Sequence, residues 1–238
     1  MRISFHICLN KIINLALRLK KEWMNKNILI GCFLMVLNSV FGQFEPKHTF
    51  NVELGIPVPM GNAVFKGMMK GGVAIFPYYQ YRMKNSLAFG LGAQYTYFQI
   101  NNTKVSSVKS AKGGVHSAGL FVKVSKEKFH TEQFATDFGV KLGYGQTYFN
   151  TNYNDSIYGK PLQVGSFTVA PTLGLILSVD EFSSYRFTIG YNVQSYGFSP
   201  QRLGDPSNGG YDSSDFNKVT HFLLVGFGFT HYFHSKTF

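Results

Sequence analysis

The chain is predicted to be all-β: an eight-stranded antiparallel up-and-down transmembrane β-barrel preceded by a helical signal peptide. Three observations predict it. Between Phe50 and Phe233, eight runs alternate large apolar residues with small or polar ones. The connections between the runs are alternately short and long. The composition is poor in charge, at 15%, and rich in aromatics, at 16%, with 25 glycines, whereas soluble domains carry about 25% charged residues.

Successive side chains of a strand point to opposite faces, so each run reads as a two-faced strand. The first sets Phe50, Val52, Leu54 and Ile56 against Asn51, Glu53 and Gly55. The second, over 71–82, turns Val73, Ile75, Pro77, Tyr79 and Tyr81 outward. The third presents Leu87, Phe89, Leu91, Ala93, Tyr95 and Tyr97. The fourth presents Ala118, Leu120, Val122 and Val124, with Ser117, Gly119, Phe121 and Lys123 behind them. The fifth sets Phe134, Thr136, Phe138, Val140, Leu142 and Tyr144 against Ala135, Asp137, Gly139, Lys141, Gly143 and Gly145. The sixth shows Phe167, Val169, Pro171, Leu173, Leu175 and Leu177. The seventh shows Tyr185, Phe187, Ile189, Tyr191 and Val193. The eighth shows Leu223, Val225, Phe227, Phe229 and Phe233.

Short connections fall at 83–86, 126–131 and 180–184, and long ones at 58–70, 101–114, 150–165 and 199–218. Outer-membrane barrels have short periplasmic turns and longer outside loops, and an even strand count puts both termini on the periplasmic side.

Residues 24–42 read as the signal peptide. Met24 to Asn27 is a short positive start, Ile28 to Phe41 is mostly apolar, and Val40-Phe41-Gly42 fits a cleavage site before Gln43. Residues 1–23 read as a non-native upstream extension, the alternative being a long n-region. The barrel domain is 43–238. Cys32 follows a lipobox-like Leu29-Ile30-Gly31, but the apolar run continues past it to Phe41. Both cysteines, Cys8 and Cys32, precede the cut, so the mature protein has no thiol chemistry. Losing the leader removes six basic residues and Glu22, and the formal charge falls from +11 to +6. The basic balance belongs largely to the leader, which argues against a nucleic-acid partner.

The face opposite the large apolar residues is rich in glycine. A soluble barrel would put its apolar residues inside and cover the outside with charge. A glycine-rich face makes sense as the crowded interior of a small barrel. The charges on that face, Glu53, Arg82, Lys123, Asp137, Lys141 and Arg186, are predicted to form an interior ion-pair network, because unpaired buried charges cost several kcal/mol each. Aromatics near strand ends, among them Tyr79, Tyr81, Tyr95, Tyr97, Tyr144, Tyr185 and Phe187, fit interfacial girdles.

With strands, leader and girdles in place, the chain resembles the small eight-stranded outer-membrane β-barrel proteins of Gram-negative bacteria. It looks most like the porin-family, outer-membrane β-barrel domain type of Bacteroidota. The leader ending Phe41-Gly42-Gln43 is similar to theirs, and the resemblance covers about 44–238. It implies an outer-membrane location, contact with outer-membrane lipid and lipopolysaccharide, and assembly by the barrel assembly machinery. Such barrels often end on an aromatic; here the lipid-facing alternation stops at Phe233, with Phe238 terminal. Asp155-Ser156-Ile157 is similar to the short O-glycosylation signal of Bacteroidota.

No nucleophile motif, phosphate-cradling loop or zinc-ligand spacing occurs, so no catalytic residue, cofactor or metal is predicted. His116 and Ser117 are adjacent and point to opposite faces. His221 could meet Asp212 or Asp215. Asp205, Asp212 and Asp215 fall short of a dedicated calcium loop. Lys104, Lys109 and Lys112 make the second outer loop basic and suit lipopolysaccharide phosphates, and Tyr153, Tyr158 and Tyr211 are candidates for surface binding. The function expected is a non-enzymatic barrel with a plugged polar lumen and a structural or loop-mediated binding role. The alternatives are an accessory subunit of a larger outer-membrane complex, a lipid A-modifying enzyme using His221, and a narrow channel for small hydrophobic molecules.

Overall fold

The computed structural model describes residues 47–83, 85–101, 112–204, 211–212, 216 and 218–233. The expected leader, cleavage site and both cysteines lie outside them. Eight strands close into one barrel in the order of the chain: β1 His48–Met60, β2 Met69–Arg82, β3 Leu87–Ile100, β4 Gly113–Phe129, β5 Phe134–Thr151, β6 Leu162–Ser178, β7 Ser183–Gln194 and β8 Thr220–Tyr232. Every pairing is antiparallel, and β1 closes on β8 from Thr49 opposite Tyr232 to Met60 opposite His221. Closure matters because hydrocarbon offers no partner to a free strand edge.

The alternation fixes which face each strand turns outward. Leu91, Leu120, Phe138, Phe167 and Phe227 are 56–66% exposed, while Phe121, the inward neighbour of Leu120, is 2% exposed. All eight strands carry large apolar side chains outward. A continuous apolar girdle around a molecule has no counterpart on soluble monomers, whose apolar patches are small. It is the surface of a transmembrane barrel.

One end has tight turns. In the β2–β3 turn Ser86 takes a left-handed φ of 66°, and the Asn85 side chain accepts from the Leu87 amide at 3.2 Å. In the β4–β5 turn Thr131 Oγ1 accepts from the Gln133 and Phe134 amides. In the β6–β7 turn Asp180 accepts from the Phe182 amide at 2.7 Å. These are side-chain-mimicked turns, which let short polar residues reverse the chain.

The other end is built up. Strand β1 continues through Pro57 and Pro59 to Met60, and β2 begins at Met69, so the 58–70 connection reduces largely to a helix, α1, Ala63–Met68. Asn62 caps α1 by accepting from the Phe65 amide at 3.0 Å. The 150–165 connection likewise shrinks around a second helix, α2, Asn152–Tyr158, which starts on a Thr151 cap and stops at Gly159 in the left-handed region, φ 64°. A 3-10 turn, Pro200–Leu203, follows β7. Strands also run further toward the turns than the alternation indicates: β4 reaches Phe129, past the expected turn start at Lys126.

Candidate functional site: the barrel interior and its loop end

Inward-pointing positions at the turn half carry a connected chain of charges. Asp137 on β5 pairs with both Lys123 on β4 and Arg186 on β7. Arg186 also lies 3.8 Å from Glu127 on β4 and 3.4 Å from the Asn51 side-chain oxygen on β1. Gln80 on β2 donates to Glu127 at 2.6 Å. Lys123 reaches the Tyr78 hydroxyl at 3.2 Å, and that hydroxyl donates to Glu53 at 2.7 Å. Glu53 pairs with Lys141 at 2.7 Å. The chain of contacts touches five strands, and its ionic members are all buried. Thr230 of β8 joins through Asn51 at 2.6 Å.

The strands that supply no charge to this chain supply space. A Cβ on Gly174 of β6 would sit 3.2 Å from an Arg186 guanidinium nitrogen, and one on Gly90 of β3 would sit 3.3 Å from Cβ of Lys123. Long basic side chains fit across an eight-stranded interior only where the facing position is bare.

Aromatic faces complete the cationic sites. The Lys141 ammonium lies 4.4 Å from the Phe76 ring centre, 5.2 Å from Phe121 and 5.4 Å from Tyr78. The Arg82 guanidinium lies 4.7 Å from the Phe129 ring. Such faces attract cations more strongly when both are out of water. Of the six charges expected to share the interior, the structure joins Glu53, Lys123, Asp137, Lys141 and Arg186 in one chain and seats Arg82 on Phe129. Glu127 is the member the sequence reading left out.

Toward the loops the interior turns apolar. Val64, Phe65 and Met68 of α1 pack with Met69, Phe98, Ile100, Val115, Phe149 and Phe222 of the strands and with Tyr196, Phe198 and Leu203 of the connection after β7. Phe65 meets Phe98 at 4.9 Å and Phe198 at 5.1 Å between ring centres. Phe98, Ile100, Val115, Phe149 and Phe222 keep the inward parity of their strands, with large apolar residues where glycine or polar residues were the rule. Met69 instead has the parity of outward Val73 and is turned inward by a register shift between Gly71 and Ala74.

The loop candidates divide. Lys104 and Lys109 lie outside the described residues, as do Asp205 and Asp215. Lys112 is exposed, with its amide bonded to the Asn152 side chain at 2.9 Å. Tyr153 and Tyr211 are half-buried against the apolar group rather than standing free. Tyr158 ends α2. The rim histidines face tyrosines: His116 Nδ1 lies 2.8 Å from the Tyr95 hydroxyl, and His221 Nδ1 lies 3.2 Å from that of Tyr191. His116 is half-buried on the outer face, whereas Ser117 is buried inward. Among the described residues no group of three or more His, Cys, Asp or Glu could hold a metal ion.

No protein-family model matches the chain, and no curated protein matches it in sequence. Solved structures do. Neisserial surface protein A is 10% identical, over 81% of this chain and 100% of its own, with a TM-score of 0.48. OprG of Pseudomonas aeruginosa is 12% identical, over 80% and 98%, with a TM-score of 0.48. Ail, the attachment invasion locus protein of Yersinia pestis, crystallised with the heparin analogue sucrose octasulfate, is 12% identical over 77% and 99%, with a TM-score of 0.42. These are small eight-stranded outer-membrane β-barrels, and at such identity the likeness is one of fold alone.

Proposed function

We propose that this is a non-enzymatic outer-membrane protein whose lumen is plugged by its own side chains and whose work, structural or binding, is done at the loop end. The observation that carries the reading is the stacking of two buried layers inside the barrel. Below is the ionic chain from Lys141 through Glu53, Lys123, Asp137 and Arg186 to Glu127. Above is the aromatic group around Phe65, Phe149 and Phe198. An ion entering would have to break buried paired charges, which is costly.

In this reading 24–42 is the targeting signal, both termini lie in the periplasm, and the assembly machinery inserts the barrel. The exposed lysines of the loop end, Lys66, Lys70, Lys112, Lys160 and Lys218, meet lipopolysaccharide phosphates by charge attraction. The lack of a nucleophile motif or zinc-ligand spacing in the sequence favours a non-enzymatic role; the rim histidines His116 and His221 lie against the Tyr95 and Tyr191 hydroxyls.

Planar-bilayer recording tests the plugged lumen. Purified protein gives no discrete conductance steps; stable single-channel openings overturn the reading. His221→Ala leaves lipid A unchanged by mass spectrometry; an altered lipid A profile favours the enzyme alternative.

A further inference from the structure

The wall of the barrel is uneven at the loop end. Strand β6 stays paired with β5 out to Leu162 opposite Phe149. On its other side, pairing with β7 stops at Thr168 opposite Gln194. One more step is made by Ser195, whose amide donates to the Phe167 carbonyl and whose hydroxyl accepts from the Phe167 amide, each at 2.9 Å. Then the chain leaves the sheet. The Tyr196 carbonyl accepts from Thr220 on β8 at 2.7 Å, and the Phe198 carbonyl accepts from Asn62 at 3.5 Å.

Among the described residues, no strand covers this edge of the outer part of β6. Backbone groups alternate sides along a strand. The amide and carbonyl of Phe167 face β7, so those of Gly165 and Gln163 face the same way, and among the described residues no strand pairs with them. Gln163 and Gly165 are exposed, while Leu162 and Val164 are half-buried toward the apolar group. A groove of about 300 Å³ lined by Lys160, Pro161, Leu162 and Gln163 adjoins the edge. A free edge with apolar side chains on one flank is the template for strand addition.

We infer that the outer edge of β6 is a docking site for an extended peptide of a partner protein, added antiparallel and carrying its negative charge at its C-terminal end. The direction follows from β6, which runs from the loop end toward the turn end. An antiparallel guest runs the other way, so its C-terminus arrives at exposed Lys160. A second copy of this chain fits poorly: two barrels in one membrane share an axis direction, so their β6 edges run parallel, the weaker pairing. The inference rests on the loop end being the binding surface, and it is read by a different experiment from the one that reads the lumen. Conductance without peptide binding, or binding with conductance, separates the two.

The test uses the full barrel in detergent micelles. The probe is a fluorescein-labelled peptide of alternating threonine and valine ending in glutamate with a free carboxylate, followed by anisotropy. Binding is saturable, and it weakens at least about tenfold when alternate peptide amides are N-methylated on the edge facing β6, because the backbone hydrogen bonds to β6 are lost. Gln163→Pro, which removes an edge amide, gives a similar loss. Lys160→Gln removes the preference for the glutamate-ended peptide over one ending in lysine amide. No saturable binding to the unaltered protein overturns the inference. So does equal binding of the N-methylated peptide, which needs no variant to fold.

Discussion

Asp137 serves two cations at once, Lys123 and Arg186, so the interior is most sensitive there. Removing one partner of a buried pair is far costlier than replacing the whole pair by apolar groups. Asp137→Asn is therefore expected to destabilise the folded barrel by about 3–5 kcal/mol, measured by urea unfolding in lipid vesicles. The Glu53–Lys141 pair gives a sharper version. Lys141→Met strands a carboxylate whose remaining described partner is the Tyr78 hydroxyl, whereas Glu53→Gln with Lys141→Met strands none. The double variant is expected to be more stable than Lys141→Met alone, a non-additivity that a double-mutant cycle reads. Single-residue parity was enough to put all six charges on the inward face from sequence, where they are buried, five of them in one chain of contacts and Arg82 apart on Phe129. It missed Glu127 because Lys126-Glu127-Lys128 reads as a polar turn. Those lysines point outward where the strand has left hydrocarbon, and there nothing requires an apolar residue. Counting cations against anions on the inward face, with Arg82, Lys123, Lys141 and Arg186 against Glu53 and Asp137, was the signal that an acid was missing.

The same reason explains where elements were misjudged. Strands were legible wherever one face met lipid and lost wherever both faces met protein or water. Strand β1 runs on through Pro57 and Pro59, residues that ordinarily end a strand, because it borders β8 on one side there and α1 follows at once. Helix α1 was invisible as a helix: six residues carry too little periodicity, and its stability comes from the Asn62 cap and from burying Phe65 among Phe98 and Phe198. The connection after β7 is held over the interior by Phe198, so Phe198→Ala is expected to cost about 3–5 kcal/mol locally. It should also speed trypsin cleavage after Arg202, followed by mass spectrometry of the folded protein in micelles. An unchanged cleavage rate means that Phe198 does not anchor this connection. Asn62→Ala is expected to give a smaller effect, about 0.5–2 kcal/mol.

For the molecule as a whole, the argument turns on which medium each side of the sheet meets. The ionic chain, the bare glycines beside it and the aromatic group above it all presuppose that the barrel interior is the polar, crowded side. The one tryptophan of the chain is Trp23, so a Trp23→Phe background has no intrinsic tryptophan signal and a single new one reports its own surroundings. Leu120 and Phe121 are neighbours on β4, one 66% exposed and the other 2%. Leu120→Trp and Phe121→Trp, each in bilayers whose acyl chains are brominated, ask the question directly. Emission from position 120 is quenched by bromine and emission from position 121 is not; strong quenching at 121 with none at 120 would turn the barrel inside out and contradict the account.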